Sequence, residues 1–286
     1  MFRSQLLLWS LLGLLTLGIF APALIRLAKE TARHEQLHHA LLILAFAMAA
    51  ILIEERKKLY LRLTADTRFY ALLVLALLVM MAATILTSQL LTAFGFALAL
   101  LAWMGFFFGR ESHRFGTALA LAFMLFVGAA SAFEFFDWPL RQMAGIHSAW
   151  LLNHFGLDSS LFYHTAGDTK LILSVDQRPF EVASECNGYG LISSSALVAL
   201  LLVAYRRLAW PDKLLSLALA VFLGSLFNTL RILFIVLLAP KVGNHYMLMH
   251  EAVGTFFFWG CLILIWFIVG GFPEKKQNRE APANHG

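Results

Sequence analysis

The stretch LLSLALAVFLGSLFNTLRILFIVLL, Leu214–Leu238, decides the fold. About 20 predominantly apolar residues span the hydrocarbon core of a bilayer as an α-helix, and this run exceeds that length while holding one charge, Arg231. It reads as a membrane helix. An ionisable group inside such a helix is costly and by default marks function. Asn228 stands one turn before Arg231, so the two side chains share a helix face.

Similar runs flank it on both sides. Leu6–Leu24, Leu37–Ile53, Phe69–Thr87, Gln89–Phe108 and Phe115–Phe133 precede a long interruption, Leu191–Ala209 follows that interruption, and Glu251–Gly271 closes the series. Composition agrees: 60% of the 286 residues are hydrophobic and 14% are charged, where a soluble domain averages about 25% charged. Mean hydropathy is +0.76. The expectation is an all-α polytopic membrane protein, with about eight transmembrane helices in one bundle and residues 1–286 forming a single integral membrane domain. The formal charge of +5 then needs no nucleic acid to explain it, because basic residues beside membrane helices set orientation.

Those basic residues recur at alternate connections. Arg56, Lys57, Lys58, Arg62 and Arg68 lie between the second and third runs, Arg110 and Arg114 between the fourth and fifth, Arg206, Arg207 and Lys213 before Leu214, and Lys275, Lys276 and Arg279 in the tail. These connections should be cytoplasmic, with both termini inside. The opposite connections are poor in basic residues: Thr87–Gln89 is uncharged, Ala239–Met249 has only Lys241, and Glu134–Glu185 has seven carboxylates against three basic side chains. Arg26, Lys29 and Arg33 run against the pattern in the first outer connection, partly offset by Glu30 and Glu35. Near the amino terminus, Arg3, a leucine-rich core and Ala21-Pro22-Ala23 loosely resemble a secretory signal. A proline inside the cleavage site is unfavourable, and the run is long enough to span.

Residues 134–185 are expected to form an extracytoplasmic interfacial segment within the domain. Trp138, Trp150, Phe155, Phe162 and Tyr163 suit a membrane interface, and Leu140–Phe155 suits an amphipathic helix lying there. Gly167-Asp168 and Arg178-Pro179 read as turns between short extended runs such as Leu171–Val175, predicting a two-stranded ribbon over the bundle.

The orientation brings Cys186, Arg231 and His250 to the same outer face. Cys186 precedes the sixth helix, Arg231 lies about 10 Å below the outer end of the seventh, and His250 opens the eighth. A cysteine attacks as thiolate, which a neighbouring cation or a helix amino terminus favours. Gly188 and Gly190 would allow close backbone approach there. An imidazole can take the thiol proton and return it to a leaving amine. A guanidinium that does not titrate can hold a thiolate, a carboxylate or an oxyanion. Each residue also has a bland explanation: cysteines in membrane helices mostly pack as small apolar groups, which is the reading for Cys261. Histidines at helix ends are mostly interfacial, with His245 competing for the role of His250, and arginines snorkel.

Taken together, Cys-Asn-Gly within Glu185–Gly190, Asn228-x-x-Arg231-Ile232 in an apolar helix, and His250 followed by Gly254 resemble the exosortases and archaeosortases, multi-pass membrane enzymes of prokaryotes. The resemblance covers Glu185 to Gly271, and one departure is Asn187, where the family often has serine. It implies a cysteine endopeptidase or transpeptidase in the prokaryotic inner membrane, with catalytic residues Cys186, Arg231 and His250 and residues 186–271 as the catalytic core helices. Asn187 and Asn228 are supporting residues on their placement alone, the first beside the thiol and the second on the helix face of Arg231. The resemblance implies protein substrates anchored in the lipid bilayer by a carboxy-terminal sorting signal: a short motif such as PEP, a membrane helix and a basic cluster. Cleavage would proceed through a thioester on Cys186 at the periplasmic face, with no cofactor and no metal.

Three rival classes read the chain differently. A membrane scaffold leaves Arg231 without a reason, and a transporter would use it to bind an anionic solute near the midplane. A zinc peptidase would use His34, Glu35 and His38, which match HExxH. That site needs a third ligand, for which only His147, His154 and His164 stand on the outer side.

Overall fold

The computed structural model describes residues 2–33, 35–55, 64, 66–109, 112–165, 169–206 and 208–270. Within these, the helices are α1 (Phe2–Arg33), α2 (Glu35–Glu55), α3 (Thr67–Ile85), α4 (Gln89–Phe108), α5 (His113–His154), α6 (Tyr189–Tyr205), α7 (Trp210–Val242) and α8 (Tyr246–Gly270). Strands β1 (Ser159–His164), β2 (Lys170–Val175) and β3 (Arg178–Glu181) stand between α5 and α6. His34, Arg56, Lys57, Lys58, Arg62, Arg110, Gly167, Asp168, Arg207, Lys275, Lys276 and Arg279 lie outside the described residues.

Among the described residues, six stretches are long and apolar enough to cross a membrane, of which the last, Trp210–Val269, takes in both α7 and α8; α2 contributes a shorter apolar stretch, Leu37–Phe46. Large apolar side chains face outward along the helices, among them Ile85, Val74, Phe222 and Phe256. That surface would aggregate in water and is suited to lipid. The protein is an all-α polytopic membrane protein carrying a small sheet.

Small residues set the helix spacing, since apolar burial gives no driving force between helices in lipid and close van der Waals approach must supply it. In α4, Ala93, Ala97, Ala99 and Ala102 are buried, and a Cβ on Gly105 would sit 2.2 Å from the Phe69 ring of α3. Ser88 caps α4 by accepting the Leu91 N–H at 3.3 Å, which closes a tight turn after α3. Likewise a Cβ on Gly224 of α7 would come within 2.9 Å of the Ile192 Cα of α6. The apolar stretch Ser184–Ala204, which carries most of α6, is largely buried, whereas Trp9–Lys29 of α1 is largely exposed. Helix α6 is therefore the axis of the bundle, contacted by α2, α5, α7 and α8.

The segment between the fifth and sixth helices differs most from expectation. The fifth helix does not end at Phe133, and Leu140–Phe155 is not a separate interfacial helix: α5 runs unbroken to His154 through Pro139. Proline costs a helix one hydrogen bond, but a membrane helix can accommodate that loss. Beyond it the chain forms three strands rather than two, in the order β1-β2-β3, all antiparallel. Arg178-Pro179 begins β3, and the turn is Asp176-Gln177, with φ of 48° and 65°. The sheet packs Leu171, Leu173, Val175 and Val182 against Ala144 and Leu152 of α5 and Ile232 and Val236 of α7. Asn153 pins β1 to the end of α5, exchanging two 2.9 Å bonds with the Ser159 backbone. Ala21-Pro22-Ala23 lies inside continuous α1, as do Arg26, Lys29 and Arg33, which sequence reading placed in a connection.

Candidate active site

Cys186 ends a short 3-10 turn, Ser184–Cys186, and Asn187 and Gly188 link it to α6. Gly188 adopts φ +80°, a left-handed conformation that glycine alone enters without strain. Space demands glycine as well, because a Cβ there would lie 2.6 Å from the Asn228 amide carbon. Asn187 is 2% exposed. Its Oδ1 accepts the Tyr189 N–H at 2.7 Å and satisfies one free donor at the start of α6.

Two helices grip this turn from different sides. On α5, the Asp137 carboxylate accepts from Ser184 Oγ at 3.0 Å and from Asn187 Nδ2 at 2.5 Å. Arg141, one turn later, pairs with the same carboxylate through Nε at 3.1 Å and through Nη2. On α7, Asn228 Nδ2 donates to the Cys186 carbonyl at 2.9 Å, and Arg231 Nη1 donates to the Glu185 carbonyl at 3.3 Å. The i, i+3 spacing of Asn228 and Arg231 thus matches two consecutive carbonyls of the turn.

Helix α8 supplies the third wall. Sequence reading has His250 opening the eighth helix, but α8 starts at Tyr246, so His250 sits one turn inside it. Its Nε2 lies 4.0 Å from Cys186 Sγ, with donor and acceptor roles set by the tautomer. Tyr246, a turn earlier, places its ring 5.9 Å from the imidazole. Gly254 stands beside the Arg231 guanidinium, where a Cβ would lie 3.2 Å from Nη2. His245 is exposed in the turn before α8, and the imidazole facing the thiol is that of His250. A cleft of about 30 Å³, space for roughly one water, is lined by Cys186, His250 and Tyr246 together with Phe180 and Glu181 of β3 and Ile235 of α7.

Two polar atoms of the site are buried without a hydrogen-bond partner among the described residues: Arg231 Nε and Asn228 Oδ1. Buried unsatisfied groups are uncommon and call for an explanation. A substrate oxygen could accept from the first.

Cys186, Arg231 and His250, together with Asn187 and Asn228, converge on one turn. Sequence reading missed Asp137, Arg141 and Tyr246. Asp137 and Arg141 are an acid and a base at i, i+4, a pairing that is split when the fifth helix is ended at Phe133 and a separate interfacial helix begins at Leu140. Cys261 is fully buried on α8, with Ser195 Oγ 3.6 Å from its sulfur. Of the HExxH set, His34 lies outside the described residues, while His38 is exposed. Among the described residues no three His, Cys, Asp or Glu side chains are grouped to hold a metal ion.

The family model for transmembrane exosortases matches residues 30–267, well over half of the chain, and spans every residue of this site. No curated protein matches the chain, and no solved structure does.

Proposed function

This chain belongs to the transmembrane exosortase family, and from that premise we propose that it is a membrane-embedded cysteine endopeptidase or transpeptidase that cuts the carboxy-terminal sorting signals of exported proteins. The observation carrying this reading is the 4.0 Å approach of Cys186 Sγ to His250 Nε2, next to a guanidinium that already grips the same turn. Catalytic hydrogen bonds in substrate-free sites are commonly long and tighten when substrate arrives.

The chemistry then follows from the groups in reach. The Cys186 proton passes to His250 Nε2, and Sγ attacks the carbonyl carbon of the scissile peptide. Negative charge develops on the carbonyl oxygen, where the unpaired Arg231 Nε–H and the guanidinium charge would stabilise it. As the C–N bond breaks, His250 returns the proton to the leaving amine, which departs with the membrane helix of the signal. A thioester remains on Cys186 until water or an acceptor nucleophile attacks it and releases the thiol. Asn228, by holding the Cys186 carbonyl, keeps the turn in register with α7. The outer-face placement of this site rests on the charge pattern of the connections.

The test is co-production with a reporter ending in a short motif, an apolar helix and a basic cluster, followed by size. Cys186→Ala is expected to abolish processing, whereas Cys261→Ala and Glu35→Gln leave it intact. Processing that persists without Cys186 sinks the mechanism.

A further inference from the structure

The unpaired edge of β3 leads to the thiol. In an antiparallel pair, alternate residues turn both backbone groups toward the same neighbour. The Val182 N–H donates to the Leu171 carbonyl at 2.8 Å, and the register continues through Leu173↔Phe180 and Val175↔Arg178. The backbones of Arg178, Phe180 and Val182 therefore face β2. Those of Pro179 and Glu181 face the other way, toward the side on which β3 has no strand neighbour among the described residues. Pro179 has no N–H to lose there, which is why a proline is tolerated in this strand. What the edge offers is the carbonyl of Pro179 and the N–H and carbonyl of Glu181.

Glu181 is also a wall of the cleft that holds Cys186 and His250, and a few residues of chain join it to the nucleophile. Its side chain is tied back to Lys170 by a 2.9 Å ion pair, so the side chain and the outward backbone groups are engaged separately. An acyl-transfer site needs an extended main chain beside its nucleophile, and a sheet edge fixes an extended chain through main-chain hydrogen bonds with little demand on its side chains.

We propose that the peptide segment around the cleaved bond adds to β3 as a fourth strand, bonding to Glu181 and Pro179, and is thereby laid across the cleft to Cys186. This rests on the thiol-protease reading above and specifies how that site takes its substrate.

Proline at position 181 deletes the outward N–H and spares every backbone bond to β2, losing only the side-chain ion pair to Lys170, whereas Glu181→Gln removes that pair's charge alone. With the signal-bearing reporter, Glu181→Pro is expected to slow processing about tenfold and Glu181→Gln by no more than roughly twofold, on the scale of one or two net hydrogen bonds. Alkylation of Cys186 by iodoacetamide should proceed at the unsubstituted rate in both. Processing by Glu181→Pro at the unsubstituted rate overturns the proposal.

A second measurement requires no cleavage and decides the matter if Glu181→Pro fails to accumulate. A photo-crosslinking benzoylphenylalanine replacing Arg178 in Cys186→Ala protein should capture the short motif of the reporter. Capture from Met247 of α8 and not from position 178 overturns the edge. Cleavage surviving in Cys186→Ala sinks the thiol mechanism alone, and cleavage by the unsubstituted protein without capture at 178 sinks the edge alone.

Discussion

Gly188 and Gly254 show how much of this site is made by side chains that are absent. Alanine at 188 would force a left-handed φ, worth about 1–2 kcal/mol, and would push Asn228 off the Cys186 carbonyl. Gly188→Ala is therefore expected to lower both the thermal midpoint of detergent-solubilised protein and the processing rate; a variant with unchanged midpoint and rate would show the turn to be freely adjustable. Arg231→Lys separates charge from shape. Lysine keeps the positive charge but loses the planar fork that reaches the Glu185 carbonyl while presenting Nε. If Nε–H serves the developing oxyanion, Arg231→Lys should cost about 10²–10³-fold in processing while the protein still accumulates. Near-normal processing by the lysine variant would reduce Arg231 to a point charge. Asn187 serves two partners at once, its Nδ2 donating to the Asp137 carboxylate and its Oδ1 accepting the Tyr189 N–H.

At the scale of elements, the sheet hairpin carries its own strain. Asp176 and Gln177 both have positive φ, the geometry of a type I′ turn, which favours Asn-Gly. Asp176 recovers part of the cost by accepting the Asp158 N–H at 3.2 Å, whereas the side chain of Gln177 is exposed. Gln177→Gly should relieve the strain and stabilise the hairpin by about 1 kcal/mol, seen as slower amide exchange in β2 and β3; faster exchange would mean the glutamine holds the turn. The same hairpin shows where sequence reading stopped. Helices α3 and α4 were legible almost to the residue because an uncharged turn with a capping serine separates two apolar runs. The end of α5 was not legible, because Asp137, Pro139 and Arg141 resemble a boundary until Ser184 and Asn187, distant in sequence, supply the partners that keep the acid inside the protein. Strand β3 was hidden by Pro179, which reads as a turn unless the strand is known to lie at an edge. Cys186, Arg231 and His250 stand out in the sequence without any knowledge of contacts: Arg231 is a charge inside an apolar run, and Cys186 and His250 are polar groups at the ends of such runs.

For the molecule as a whole, helix lengths set which parts lie on opposite sides of the bilayer. Helix α7 has 33 residues, about 50 Å at 1.5 Å per residue, more than the roughly 40–45 Å of a bilayer with its headgroups. Its ends at Trp210 and Val242 must therefore lie on opposite sides unless the helix tilts steeply. The sheet and the Cys186 turn pack on the later half of α7, through Ile232, Val236 and Arg231, and so belong to the Val242 side. Helix α5, with 42 residues and a length near 63 Å, overshoots the bilayer and carries the sheet beyond the hydrocarbon on that same side. Arg231 remains about 16 Å along the helix from Val242. In protein lacking both native cysteines, single cysteines at Asp176 and Asn244 should react with a membrane-impermeant maleimide in intact cells. One at Trp210 should react only after permeabilisation. Labelling of position 210 from outside, with 176 and 244 protected, would invert the orientation deduced from basic residues and put the thiol on the cytoplasmic face. Labelling of all three from one side would break the argument from α7 itself, because that result requires a helix lying in the membrane plane instead of crossing it.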